Sequence, residues 1–141
     1  MRRTLGLLVF GSIIALASIT NSHTSDKPAA GSRAVGTLRL VNTAEAYAHG
    51  SQGKFLPLAE LVSTGALKHA GDMNSGFIAL YNELSPAKGT ELLSGYDFAL
   101  LVSSDGSAYK MSMANKERCG QAFFTDERGL IYAGKVLDCS K

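Results

Sequence analysis

The sequence predicts an α+β domain in which an N-terminal helix packs on a four-stranded antiparallel sheet. Apolar residues recur at steps of three and four over residues 33–48, which is the period of a helix with one buried face. Two later segments place strand-forming residues on either side of turn signals, which is typical of β-hairpins. The helical and strand patterns occupy separate parts of the chain, and this segregation favours an α+β fold.

The composition fits one packed domain. The chain has 141 residues, of which 45% are hydrophobic and 18% are charged. This length is enough for one hydrophobic core and too short for two domains. The formal net charge is +2. Because phosphate binding requires several clustered Lys or Arg residues, so small a surplus predicts no nucleic-acid partner.

Residues 1–17 have the three parts of a secretory signal peptide. A basic pair precedes a long uncharged run, and small residues lead up to a cleavage site between Ala17 and Ser18. The alternative is a retained anchor, since residues 4–20 carry no charge and reach the lower length limit for a membrane span. We therefore expect a periplasmic or secreted protein, which contacts the inner membrane only if residues 4–20 are retained.

After cleavage, residues 18–32 are expected to form a flexible tether, because they are polar and contain Pro28 and Gly31. Residues 33–141 then form a single α+β globular domain. Removal of residues 1–17 deletes two arginines and no acidic residue, so the mature chain has equal numbers of basic and acidic residues. This balance favours protein contacts over anionic surfaces.

The first predicted helix follows Ser32, which is a plausible N-cap. Its apolar face consists of Ala34, Leu38, Val41, Ala44 and Ala48. Its polar side chains lie largely off that face: Arg33, Arg39, Asn42 and Glu45. A short second helix is expected to begin at Pro57 and end at Gly65. Residues 66–90 mix apolar residues with glycine and proline, so periodicity leaves helix, strand and loop open there.

The Asp105-Gly106 pair predicts a two-residue hairpin turn, because both central positions of such a turn favour positive φ. This turn fixes the register of the first hairpin. One face is apolar and pairs Val102 with Tyr109, Leu100 with Met111 and Phe98 with Met113. The other face is mostly polar and pairs Leu101 with Lys110 and Ala99 with Ser112. The sheet is therefore expected to bury one side.

A second hairpin is expected over residues 121–125 and 130–133, with a turn at residues 126–129. Cys119 and Cys139 flank this hairpin. In an oxidising compartment, an even number of cysteines this close together predicts a disulfide, which closes a loop of about 20 residues. The hairpin brings the two positions almost opposite each other, and a disulfide requires such a short Cα separation.

The sequence gives no sign of a catalytic, cofactor-binding or metal site, so we expect a non-enzymatic protein without a cofactor. His23, His49 and His69 lack the spacing that places two metal ligands on one helix face, and they are expected to be solvated. Residues 72–76 have oxygen-bearing side chains at alternate positions, as a calcium-binding loop does. They lack the third ligand before the glycine and a Glu at the twelfth position of the loop, so they predict a plain turn. The acidic residues of the turn at residues 126–129 are expected to be solvated.

Three segments resemble the globular domain of bacterial type IV pilin-like proteins, including pseudopilins. They are LRLVNTAEAY at residues 38–47, SGYDF at residues 94–98 and FFTDERGLI at residues 123–131. The similarity extends over residues 33–133. It implies a helix packed on an antiparallel sheet and a structural, non-enzymatic role in a pilus or a secretion pseudopilus.

The N-terminus differs from that of a prepilin, which continues from a glycine cleavage site into one long helix. Here no Glu lies in the apolar run, and Pro28 interrupts a continuous helix. We therefore expect an exported pilin-like structural or accessory protein whose partners are other envelope or pilin-like proteins. The alternative is a small periplasmic ligand-binding module in which residues 66–90 frame a pocket.

Overall fold

The computed structural model describes residues 30–135 with the exception of residue 118. The predicted signal peptide, its cleavage site between Ala17 and Ser18, and Cys139 lie outside the described residues. The same holds for His23 and for all but the last residues of the predicted tether.

The described residues form four α-helices followed by four β-strands, so the α+β class is confirmed. The helices are α1 (Ala30–Gln52), α2 (Leu58–Ser63), α3 (Ala66–Asp72) and α4 (Ser75–Glu83), followed by a short 3₁₀ turn (Pro86–Lys88). The strands are β1 (Tyr96–Val102), β2 (Tyr109–Asn115), β3 (Gln121–Asp126) and β4 (Tyr132–Lys135). They form one antiparallel sheet in the order β1-β2-β3-β4.

Helix α1 contacts α3 and α4 as well as strands β2 and β3. The five residues predicted for its apolar face are fully buried, which confirms that part of the prediction. Gly36 lies so close to α4 that a Cβ atom there would be 2.7 Å from Leu80 Cδ1. Near its start, Arg33 forms an ion pair with Glu83 at the end of α4. The helix is thus stabilised by the other helices as well as by the sheet.

The segment that periodicity left open is mostly helical. Asn74 caps α4, because its side-chain Oδ1 accepts a hydrogen bond from the Phe77 N–H at 2.9 Å. Residues 72–76 therefore form the junction of α3 and α4. Gly71 does not mark a loop, since it lies inside α3 where a Cβ atom would be 2.9 Å from Tyr81 Cβ. Glycine here permits close packing of two helices.

The first hairpin has the predicted register, from Val102 opposite Tyr109 to Phe98 opposite Met113. Its turn differs from the prediction. Only Gly106 of the central pair has positive φ, and the Ser103 N–H donates to the Ala108 carbonyl at 2.9 Å, so residues 104–107 form a four-residue loop. The Asp105 carboxylate stabilises this wider loop by accepting from the Ser103 hydroxyl at 2.6 Å and from the Ser107 N–H at 3.0 Å.

The second hairpin is confirmed, with its return strand β4 beginning two residues later than predicted. The Gly129 N–H donates to the Asp126 carbonyl at 2.8 Å, and Gly129 has a φ of 72°. This left-handed residue closes the turn, as the sequence predicts.

Alanine substitutions at two glycines should separate crowding from backbone strain. Gly106 and Gly129 both have positive φ, but a Cβ atom at Gly106 would lie 2.7 Å from Lys54 Cβ, whereas nothing lies within 4 Å at Gly129. We expect Gly129→Ala to lower the free energy of unfolding by about 1 kcal/mol, and Gly106→Ala to lower it by roughly 2 kcal/mol or more. Urea unfolding measures both. Equal losses would show that the contact between Lys54 and the hairpin loop is not tight.

Candidate functional site

Three exposed apolar side chains lie together on the face of the sheet that is turned away from α1. Leu101 is 70% exposed, Phe124 49% and Tyr132 50%. Phe124 pairs directly with Tyr132 across β3 and β4, while Leu101 pairs with Lys110 across β1 and β2. We call these residues, with Lys110 and the neighbouring Glu127, the outer sheet patch. The first hairpin contributes Leu101 and Lys110 as its predicted pairing implies, and the second hairpin adds Phe124 and Tyr132 to the same face.

Strand alternation explains how the patch arises. Side chains at successive positions of a strand point to opposite faces, so Thr125 points towards α1 while Phe124 points outward. Phe123 and Thr125 are buried on the inner face, which α1 covers. Phe124 lies between these two residues in the strand, points to the outer face and therefore remains exposed. Helix α1 covers the inner face of the sheet, while the three apolar side chains of the outer face are exposed.

The charges of the patch are opposite in sign. Asp126, which faces Lys110 in the ladder, is already paired with Arg128 at 2.6 Å, and this guanidinium lowers the pKa of the Asp126 carboxyl. Lys110 and Glu127 form no ion pair with any residue that the structure describes. Both line the same depression beside Leu101. The patch thus has one positive and one negative side chain available for a partner.

The surface is shallow. The depression lined by Leu101, Phe124 and Tyr132 has a volume of about 300 Å³. This is at the lower end for a small-molecule pocket, and such pockets bury most of their ligand. A site whose main apolar side chains are about half exposed or more does not enclose a ligand. It can instead accept protruding side chains of another protein.

A second depression lies between α2 and the 3₁₀ turn. Its lining is apolar throughout: Leu58, Ala59, Val62, Pro86, Ala87 and Gly89. A ligand site normally adds a few polar groups that fix the orientation of the ligand, and this lining has no polar side chain. Only the last residues of the 66–90 segment border this depression.

A polar cluster joins α1 to the inner face of the sheet. The Tyr109 hydroxyl donates to Asn42 Oδ1 at 2.8 Å, and Asn42 Nδ2 donates to Thr125 Oγ1 at 3.1 Å. These bonds cross from the helix to β2 and then to β3. Asn42 was placed largely off the buried face by the helical pattern, but it is half buried and fixes the position of the helix on the sheet.

Glu45 is fully buried, so the expectation that it lies off the buried face is wrong. After α1 the chain folds back and covers this side of the helix. The Leu56 N–H donates to Glu45 Oε2 at 2.9 Å, while Oε1 has no hydrogen-bond partner. Burial raises the pKa of Glu45 to about 7, although the bond from Leu56 opposes the rise. Burial also raises the pKa of Tyr109, and the nearby charge of Glu45 adds to that rise.

The two described histidines are exposed, as predicted, and each lies against an aromatic ring. His49 stacks on Phe55 with ring centroids 4.5 Å apart, and His69 lies 4.1 Å from the ring of Tyr47. Within the described part of the chain, no group of three or more His, Cys, Asp or Glu side chains could hold a metal ion. The histidines therefore contribute to packing at the surface.

Cys119 lies between β2 and β3 and is the one described non-glycine residue with positive φ, at 71°. Its predicted partner, Cys139, lies outside the described residues, so the disulfide stays a prediction. The acidic residues of the second turn lie as expected, since Glu127 is exposed and Asp126 pairs with Arg128 in the same turn.

Comparison with protein-family models, with curated proteins and with solved structures gave no match to this chain. In the part of the chain that the structure describes, no helix has both the length and the apolar character needed to cross a bilayer. The similarity to pilin-like domains consequently remains a hypothesis that is based on the quoted segments.

Proposed function

We propose that the chain is an exported, non-catalytic pilin-like protein that serves as a structural or accessory component of a type IV pilus or secretion pseudopilus. The observation that carries this proposal is the outer sheet patch. An exposed apolar cluster with charged neighbours is typical of a protein-contact surface.

The arrangement of helices and sheet supports the same proposal. An apolar inner sheet face under a long N-terminal helix is the architecture that the pilin-like resemblance implies. The first turn of α1 lies beside the start of β3, because a Cβ atom at Gly31 would be 2.9 Å from Gln121 Oε1 and 3.4 Å from Phe123 Cζ. Helix α1 therefore begins at this end of the sheet.

The patch extends towards the opposite end of the sheet. Leu101 and Lys110 lie next to the loop of residues 104–107, and Glu127 lies in the second turn. A domain that is tethered at the start of α1 would present this end away from its attachment point. This geometry suits an envelope protein whose free end contacts another subunit.

Co-purification from envelope fractions tests the proposal. We expect the wild-type protein to be recovered with a filament or secretion component, and Leu101→Arg to reduce that recovery about tenfold, which is the effect of losing one central contact residue. Leu101 is 70% exposed, so the variant should fold normally. Ile78→Arg is the matched control, since Ile78 is 43% exposed on α4, and it should retain the partner. Recovery of the wild-type protein as a free monomer without any such component would contradict the proposal.

A further inference from the structure

We propose that the outer sheet patch binds a second copy of this chain, so that two patches meet face to face about a twofold axis. This inference rests on the proposed function, because it takes the patch to be a contact surface and names its partner.

The charges of the patch favour a second copy. Lys110 and Glu127 border the same depression, have opposite signs and form no ion pair within the described residues. In a twofold contact each surface meets itself, so it must offer both signs to be complementary. Lys110 of one copy can then meet Glu127 of the other, and the symmetric contact repeats the pair. A strongly acidic or strongly basic partner would instead match a patch of one sign.

The apolar side chains are also self-complementary in their placement. Leu101 lies on the β1 side of Lys110, whereas Phe124 and Tyr132 lie on β3 and β4. A twofold axis that runs between β2 and β3, parallel to the strands, would lay β1 of one copy over β4 of the other and β2 over β3. Leu101 would then lie towards Tyr132 of the second copy, and Lys110 towards its Glu127. All three side chains, which are about half exposed or more in the single chain, would lose contact with water.

Mixing two charge-reversal variants tests the inference. Protein expressed from the full-length sequence is compared by sedimentation equilibrium as wild type, as Lys110→Glu, as Glu127→Lys and as an equimolar mixture of the two variants. We expect the wild type to dimerise and each single variant to associate about tenfold or more weakly, because like charges then face each other. The mixture should recover the wild-type association, since both contacts in the mixed dimer pair opposite charges.

Several results would overturn the inference. They are a wild-type protein that is monomeric at every concentration, single variants that associate as well as the wild type, and a mixture no stronger than its components. Both substituted residues are exposed, and thermal unfolding of each variant verifies that it is folded. If the wild type is monomeric but Leu101→Arg still loses an envelope partner, the second-copy inference fails and the proposed function stands. If the wild type is monomeric and Leu101→Arg also keeps its envelope partner, both the second-copy inference and the proposed function fail.

Discussion

At pH 8, replacement of Glu45 by glutamine is expected to raise the free energy of unfolding by about 3 kcal/mol. The carboxyl group is fully buried, and one of its oxygens has no hydrogen-bond partner. Its pKa is raised from 4.5 to about 7 by burial. Each unit of such a rise costs the charged folded state about 1.4 kcal/mol relative to the unfolded chain. The neutral glutamine can keep the bond from the Leu56 N–H without that cost.

The sign of the pH dependence follows from the raised pKa. Below about pH 4.5 the carboxyl group is protonated in both the folded and the unfolded states, so its contribution to stability is fully present. As the pH rises from 4.5 to about 7, the unfolded chain releases the proton first, and the wild-type protein loses stability. Glu45→Gln should therefore match the wild type near pH 4.5 within about 1 kcal/mol and exceed it at pH 8.

Urea unfolding of both proteins at several values between pH 4.5 and pH 8 measures this difference directly. Glu60→Gln is the control, because Glu60 is an exposed carboxylate on α2 and its replacement should not raise the free energy of unfolding at pH 8. Parallel pH profiles for wild type and Glu45→Gln would contradict the burial of an ionisable Glu45. Differences between the two proteins are informative because the other titrating groups are common to both.

The same carboxyl group connects α1 to the hairpin loop. Glu45 accepts from the Leu56 N–H, and the neighbouring Phe55 N–H donates to the Gly106 carbonyl at 2.9 Å. The Phe55 ring lies edge-on to Tyr109 with centroids 4.9 Å apart. Glu45→Leu should therefore lower stability even near pH 4.5 by about 1 to 3 kcal/mol, because the Leu56 N–H loses its acceptor.

Reduction of the predicted bridge between Cys119 and Cys139 is expected to lower the free energy of unfolding by about 3 kcal/mol, the loop-closure value for about 20 residues. The ladder of the second hairpin supports the pairing. Lys135 lies opposite Gln121. Gln121 follows Cys119 by two positions, and Cys139 follows Lys135 by four positions. Four residues span at most about 14 Å, which is enough to return to Cys119. A bridge would also explain how Cys119 is held at positive φ.

Intact-mass measurement of the exported protein, before and after reduction, tests the bridge and the export signal together. We expect a chain that begins at Ser18 and gains two hydrogen atoms on reduction. The variants Cys119→Ser and Cys139→Ser should each lose as much stability as the double variant, because either one removes the bridge. Two thiols that react with an alkylating reagent in the folded, unreduced protein would refute the pairing.

The sequence predicted the first hairpin well because each side chain of a strand points to one of only two faces of the sheet. Once residues 105–106 are placed in the turn, burial of Met111 and Met113 decides the rest of the first hairpin. The turn type was wrong because the hydrogen bonds of the Asp105 side chain favour a wider loop, and this loop keeps the same register. A local signal thus predicted the pairing correctly while giving the wrong turn.

The error at Glu45 and the open assignment of residues 66–90 have a different cause. A helical pattern identifies the face with most apolar residues, but it cannot show that a later segment covers a second face. Glu45 is buried by the chain around Leu56, which is close in sequence yet has no apolar period. In the same way, Gly71 reads as a loop signal, because its close contact with Tyr81 depends on packing between two helices.

The outer sheet patch could be predicted in part. The outward position of Leu101 follows from the first register, and its 70% exposure agrees with it. The positions of Phe124 and Tyr132 depend on the length of the second turn, which local signals leave uncertain by one or two residues. The patch therefore emerges only when both hairpins are placed in one sheet.

Site-specific photo-crosslinking in the producing cells tests most directly whether the outer sheet patch is the contact surface of an exported domain. A photoreactive residue at position 101 should give a discrete crosslinked product, and the same residue at position 78 on α4 should not. Both positions are exposed, so both variants should fold and be exported alike. Products at position 78 equal to those at position 101, or no product at position 101, would contradict the proposed contact surface.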